Sequence, residues 1–227
     1  MKWSLIAKLL IISVVLDCLY YTCCEDVNKK FCGKYTNKAF FDISIDGKKA
    51  GRIIFGLCGD IVPKTVKNFL ALCTGEHGKG KHGKLLYYKK SVVFRIEKDL
   101  VFQGGDIYYN NGMGGESIYG YTFPDENHVL SHNKRGVLSM ANSKPDTNSS
   151  QFFVIFKPYL KFDPVHTAFG EVIDGWDVID KIEAVGGEKG VPKKLVKIEH
   201  SGEIRNGKLF NINIAEWDED YDEKDEL

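Results

Sequence analysis

The chain has 227 residues, 43% of them hydrophobic and 27% charged, and its formal net charge is zero. That length suits one domain with a self-sufficient core, and the composition excludes a disordered or fibrous chain without selecting a function.

At the N-terminus, Lys2 and Lys8 precede the uncharged apolar run 9–16, and Asp17 and the cluster Thr22-Cys23-Cys24 follow. This pattern reads as a secretory signal peptide over residues 1–24. The run is far shorter than the roughly 20 residues that cross a bilayer, so no stable membrane anchor is expected. Cleavage after Cys24 leaves Cys32, Cys58 and Cys73. An odd count keeps one thiol free even in an oxidising compartment, and spacing does not say which.

Ala39-Phe40-Phe41-Asp42-Ile43-Ser44-Ile45, then Asp46-Gly47, then Arg52-Ile53-Ile54-Phe55-Gly56-Leu57 has the form of a β-hairpin with a turn dipeptide at its tip. Pro63 opens a helix with Val66, Phe69, Leu70 and Cys73 on one face and Gly75 beyond its end. Residues 75–84 are rich in glycine and lysine and read as a mobile basic surface loop. Short apolar runs follow at Val92-Val93-Phe94, Leu100-Val101-Phe102, Gly136-Val137-Leu138-Ser139-Met140 and Phe152-Phe153-Val154-Ile155-Phe156, divided by Gly, Asn and Asp clusters. Trp176, Ile179, Ile182 and Val185 predict a second helix, closed by Gly186-Gly187. Many short strands with two helices point to a mainly β fold, a closed antiparallel barrel capped by helices.

Residues 205–227 form a C-terminal extension. Leu209-Phe210-Asn211-Ile212-Asn213-Ile214 alternates enough for one more strand, and from Glu216 the tail carries eight acids against Lys224. Such a tail reads as a solvated spacer trailing a moderately basic body. The last four residues, Lys224-Asp225-Glu226-Leu227, are an endoplasmic-reticulum retention address, which places the protein in the lumen of that compartment.

Other chemistries find little support. His128 and His132 have i,i+4 spacing but lie in a turn-rich stretch without the glutamate of a zinc-protease motif, and they read as surface histidines. Gly112-Met113-Gly114-Gly115 lacks the lysine and serine or threonine of a phosphate loop, and no nucleophile elbow is present. No metal, cofactor or nucleic-acid partner is expected. Asn148-Ser149-Ser150 is a glycosylation sequon.

A series of blocks in fixed order resembles the cyclophilins: Pro63-Lys64-Thr65 with Asn68-Phe69, Cys73-Thr74-Gly75-Glu76, Phe94-Arg95-Ile96, Gln103-Gly104-Gly105-Asp106, Gly114-Gly115-Glu116-Ser117-Ile118-Tyr119-Gly120, Gly136-Val137-Leu138-Ser139-Met140-Ala141-Asn142 and Ser150-Gln151-Phe152-Phe153. The resemblance covers residues 34–204. It implies a closed eight-stranded antiparallel β-barrel with an α-helix over each open end, and peptidyl-prolyl cis-trans isomerase activity on secretory polypeptides. Proline-containing clients are the implied partners, with luminal chaperones beside them. A non-catalytic cyclophilin that holds proline segments as a scaffold is the alternative. By resemblance, Arg95 is the catalytic arginine, and Gln103 orients it and holds the substrate carbonyl. Leu100, Val101, Phe153 and Phe162 line the proline pocket with His166 at its rim. Asn142 offers backbone groups to an extended peptide, while Ala141, Ser143 and Gln151 flank the neighbouring subsite. The chain departs from the family at Val93-Phe94, at Leu100 and at Lys161, which stands where many members carry the tryptophan that binds cyclosporin. Weak cyclosporin binding is therefore expected.

Overall fold

The computed structural model describes residues 31–211. The expected signal peptide, acidic run and retention address lie outside them. Residues 31–34 belong to a separate N-terminal unit and form a turn in which the Lys34 amide donates to the Cys32 carbonyl at 2.7 Å.

Over residues 35–211 the architecture is an antiparallel sheet with two α-helices. Strands β1 (Asn37–Ile45) and β2 (Lys48–Leu57) pair with Phe41 opposite Ile53 and Ala39 opposite Phe55. Their turn needs two consecutive positive φ angles, which Asp46 (50°) and Gly47 (72°) supply. Helix α1 (Pro63–Thr74) follows, with proline in its first turn and left-handed Gly75 ending it, its amide N–H donating a hydrogen bond to the Ala71 carbonyl at 2.8 Å. Its first turn has no local side-chain cap. The Glu126 carboxylate takes that role from a distant loop, accepting the Lys64 and Thr65 amides at 2.9 and 2.8 Å.

The next strands are β3 (Arg95–Glu97), β4 (Val101–Gly104), β5 (Val137–Met140), β6 (Phe152–Ile155) and β7 (Ala168–Asp174). Helix α2 (Trp176–Ala184), β8 (Val196–Arg205) and β9 (Lys208–Phe210) complete the described chain. In the sheet the strands run β3-β4-β6-β5-β7-β2-β1-β8-β9. Two features bear on the expected closed ring of eight. A second tight turn, Asn206-Gly207 with φ of 50° and 75°, folds β9 onto β8 as a ninth strand. The segment ahead of β3 meets β8 through one bridge, Val92 to Lys197, with Lys90 and Val93 donating to the Ile198 and Val196 carbonyls at 2.7 and 2.9 Å. The named strands therefore form an open row of nine. That same partnership explains why β3 begins at Arg95 and not at Val92, since Val93 is already spent on β8.

Helix α2 buries Val178, Ile179 and Ile182, whereas Trp176 stays 38% exposed beneath the Arg135 guanidinium, 5.5 Å from the ring centre. The helix lies so close to β2 that a Cβ at Gly51 would stand 2.6 Å from Val178 Cγ2. Only glycine fits there, and it also takes the local φ of +140° without strain.

The core between α1 and the sheet is an aromatic cluster. The Phe41 ring centre lies 5.1 Å from Phe55, 5.8 Å from Phe69, 5.7 Å from Tyr88 and 5.4 Å from Phe152, and Phe69 is 5.0 Å from Phe169. All six are buried. Edge-on and tilted ring pairs contribute about 0.5–1.5 kcal/mol each beyond the area they bury. Tyr88 keeps its hydroxyl satisfied at the Ser150 carbonyl, 2.7 Å away. Among the described residues, no helix is long and apolar enough to cross a membrane.

Candidate active site

The register of four neighbouring strands sets Arg95 (β3), Gln103 (β4), Phe153 (β6) and Ser139 (β5) side by side. Paired positions share a face of the sheet, so a cation, an amide and an aromatic ring form one row. Arg95 Nη1 is 3.5 Å from Gln103 Oε1, and Arg95 Nη2 donates to Glu97 Oε1 at 2.6 Å. Gln103 Nε2 donates to Gln151 Oε1 at 3.0 Å, and Gln151 Nε2 donates in turn to the Gly112 and Gly114 carbonyls at 2.8 and 2.7 Å.

Those carbonyls are held by Asp106. Its carboxylate accepts the amides of Tyr108, Tyr109, Asn111, Gly112 and Gly114 at 2.9–3.1 Å. Burial alone would raise the Asp106 carboxyl, but these amides outweigh it and hold the group below the ordinary carboxylate value. One buried anion thus shapes the loop, the loop fixes Gln151, and Gln151 fixes Gln103. Left-handed Gly105 (φ +84°) makes the close approach possible, because a Cβ there would meet the Ser150 carbonyl at 2.5 Å.

Beside the polar row, Phe153 packs edge-on against Phe162 at 5.1 Å and against His166 at 5.0 Å, and Phe162 meets His166 at 5.3 Å. Burial, and then His132, push the His166 imidazole down to about 4, so it is neutral at physiological pH. Val101 is buried opposite Glu97 and Ile155, and half-buried Leu100 opens the strand, its carbonyl accepting the Phe156 amide. Ala141 donates its amide to the Gln151 carbonyl at 3.0 Å, and Asn142 Nδ2 reaches the Val165 carbonyl at 2.9 Å. Among the described residues, the Asn142 main-chain amide and carbonyl have no protein partner, so they are available to an extended peptide. Ser143 is exposed and bonded to Thr147. Lys161 is exposed in the 3₁₀ turn Leu160–Phe162.

The structure thus joins Arg95, Gln103, Gln151, Phe153, Phe162 and His166 through bonds and ring contacts. Ala141, Asn142 and Ser143 line the adjoining chain, and Leu100, Val101 and Lys161 occupy positions at its margin.

His132 is a correction. It is fully buried, not a surface histidine, and its ring stacks on Phe153 at 5.9 Å with Nδ1 2.8 Å from Asp163 Oδ1. Burial lowers its pKa, Asp163 opposing, so the neutral ring places its proton on Nδ1. Asp163 also accepts the His132 amide and the Ser131 hydroxyl, which tie the Leu160–Phe162 turn to β5's approach. The sequence offered no sign of this pairing across 31 positions. Glu97 was missed too, although its place two residues beyond Arg95 on a strand was a usable signal.

Asn148 is buried, with Nδ2 on Asp125 Oδ1 at 2.7 Å. Among the described residues the free thiol is Cys73, whose pKa burial, and then Glu203, push well up, so it is a poor nucleophile.

Residues 40–203 match the family described as cyclophilin type peptidyl-prolyl cis-trans isomerase/CLD. The chain belongs to this family. It is also 46% identical over 186 residues to the Arabidopsis thaliana peptidyl-prolyl cis-trans isomerase CYP21-1, a match that covers 82% of this chain and 80% of the relative. The row of Arg95, Gln103 and Phe153 is therefore the candidate active site of a cyclophilin-type isomerase, an enzyme class that binds proline-containing peptides.

Proposed function

We propose that this cyclophilin turns X-Pro bonds with Arg95 as its catalytic residue and works on secretory polypeptides in the lumen of the endoplasmic reticulum. The observation that carries the chemistry is the cross-strand row in which a guanidinium, an amide and a buried aromatic ring stand side by side. Rotation about the amide is opposed by a barrier of about 18–20 kcal/mol. As the bond twists, the prolyl nitrogen regains its lone pair, and an N–H from Arg95 binds that twisted form better than either planar one. One charged hydrogen bond of about 1.5–3 kcal/mol supplies about ten- to a hundred-and-fifty-fold in rate. Desolvation of the proline ring against Phe153, Phe162, Val101, Leu100 and neutral His166 supplies the remainder, with Gln103 gripping the substrate carbonyl. Ala141, Ser143 and Gln151 border the subsite for the preceding residue.

The compartment rests on the leader over residues 1–24 and on the C-terminal Lys-Asp-Glu-Leu. The disulfide-bonded state of Cys58 agrees with an oxidising lumen. Luminal chaperones are the accompanying partners, and the isomerase domain occupies residues 34–204. The bridge from Val92 to Lys197 supports closure of the sheet into the family's barrel. Lys161 presents a hydrated cation where an indole would stack, so cyclosporin binds weakly. Turnover of several X-Pro peptides by the purified protein tests the reading. A measurable kcat/KM on any of them supports catalysis, and a protein that binds these peptides without turning them is the scaffold instead.

A further inference from the structure

The β3 strand is three residues long, and its alternation sends Ile96 into the core and sets Arg95 and Glu97 on one face. The guanidinium is engaged unequally by its two neighbours. Arg95 Nη2 holds Glu97 Oε1 at 2.6 Å, a charge-assisted bond, whereas the 3.5 Å from Nη1 to Gln103 Oε1 is at the limit of hydrogen bonding. Both side chains are partly withdrawn from solvent, at 39% and 32% exposure. The 3₁₀ turn Glu188–Gly190 closes over their stems. A Cβ at Gly190 would stand 3.1 Å from Arg95 Cγ, 3.3 Å from Glu97 Cγ and 3.5 Å from Arg95 Nε. The glycine turn thus lies against the stems of both side chains and leaves their charged ends side by side.

We infer that Glu97 is a positioning residue that holds Arg95 in a resting pose and restrains the isomerase. The inference rests on the assignment of Arg95 above. The substrate offers the arginine a neutral nitrogen whose lone pair exists only while the amide is twisted. A permanent carboxylate is the stronger acceptor, and it also offsets the positive charge that favours the twisted amide. An arginine has five N–H donors, so Glu97 does not block the reaction. It turns the guanidinium along β3 and weakens an interaction made only in the transition state, which lowers kcat more than it alters KM.

The test is a proline-isomerisation assay on the full chain with Glu97→Gln, Arg95→Ala and the double variant, each checked by circular dichroism. Glu97→Gln keeps the shape and removes the charge. It should raise kcat/KM about two- to fivefold, the range that a partly exposed ion pair spans, with the gain in kcat. Damage to the fold would lower activity, so the sign separates the two explanations. In the Arg95→Ala background the same change should have no effect. Unchanged or reduced activity in Glu97→Gln overturns the inference, as does an equal rise without Arg95. If Arg95→Ala alone keeps wild-type activity, the assignment of Arg95 fails. If Arg95→Ala is impaired and Glu97→Gln is unchanged, only the role of Glu97 fails.

Discussion

His166 and His132 both lie against the Phe153 ring, and burial disfavours the charged form of each. For His166 the folded-state value of about 4 lies below the ordinary 6.5. Between those values the unfolded chain binds a proton that the folded chain refuses, so folding stability falls as pH drops through this window and is fully present above it. His132 adds a dependence of the same sign, partly opposed by Asp163. His166→Gln should therefore flatten the fall in thermal midpoint between pH 6.5 and 4 relative to the wild type. Parallel curves for the two proteins would mean that the His166 ring takes up its proton in place. At this scale the sequence was partly legible. Arg95, Gln103 and Phe153 follow from the cyclophilin blocks around them. His132 acts through a partner 31 positions away that no motif names, and Glu97 through Arg95, two residues before it on the same edge strand.

Elements whose limits are set by backbone demands were readable. Asp46-Gly47 announces a turn with positive φ, and Pro63 and Gly75 bracket α1. Elements limited by tertiary partners were not. The run Val92-Val93-Phe94 has strand composition, yet the ladder starts at Arg95 because Val93 bonds to β8. Periodicity placed Trp176 on the inner face of α2, but Val178 fills the gap over Gly51 and the indole lies under Arg135. The α1 cap is of the same kind, since Glu126 reaches the helix start from about sixty residues away. Glu126→Ala should cost about 1–2 kcal/mol of stability, because two amides and the Thr65 hydroxyl lose a charged acceptor. Denaturant unfolding measures it. A loss below about 0.3 kcal/mol would mean that water serves these groups equally well.

For the whole molecule, alternation and helical spacing conveyed a mainly β fold with two helices, and alternation from Leu209 conveyed the strand beyond β8. β9 follows the Asn206-Gly207 turn where alternation from Leu209 suggested one more strand, whereas the junction with β8 rests on a single bridge at Val92, a feature of three-dimensional closure and not of local pattern. The proposed luminal localisation rests on the sequence of the leader and of the last four residues, and not on the sheet. Deletion of residues 224–227 should send the protein from the reticulum into the medium. Retention of the truncated chain would move the address to a partner that binds the acidic segment or the basic body. The central claim concerns Arg95, and kcat/KM for a short X-Pro peptide, wild type against Arg95→Ala, tests it most directly. The row of Arg95, Gln103 and Phe153 predicts a loss of about tenfold or more with the thermal midpoint nearly unchanged, because the lost interaction belongs to the twisted amide. Equal kcat/KM in the two proteins would contradict it.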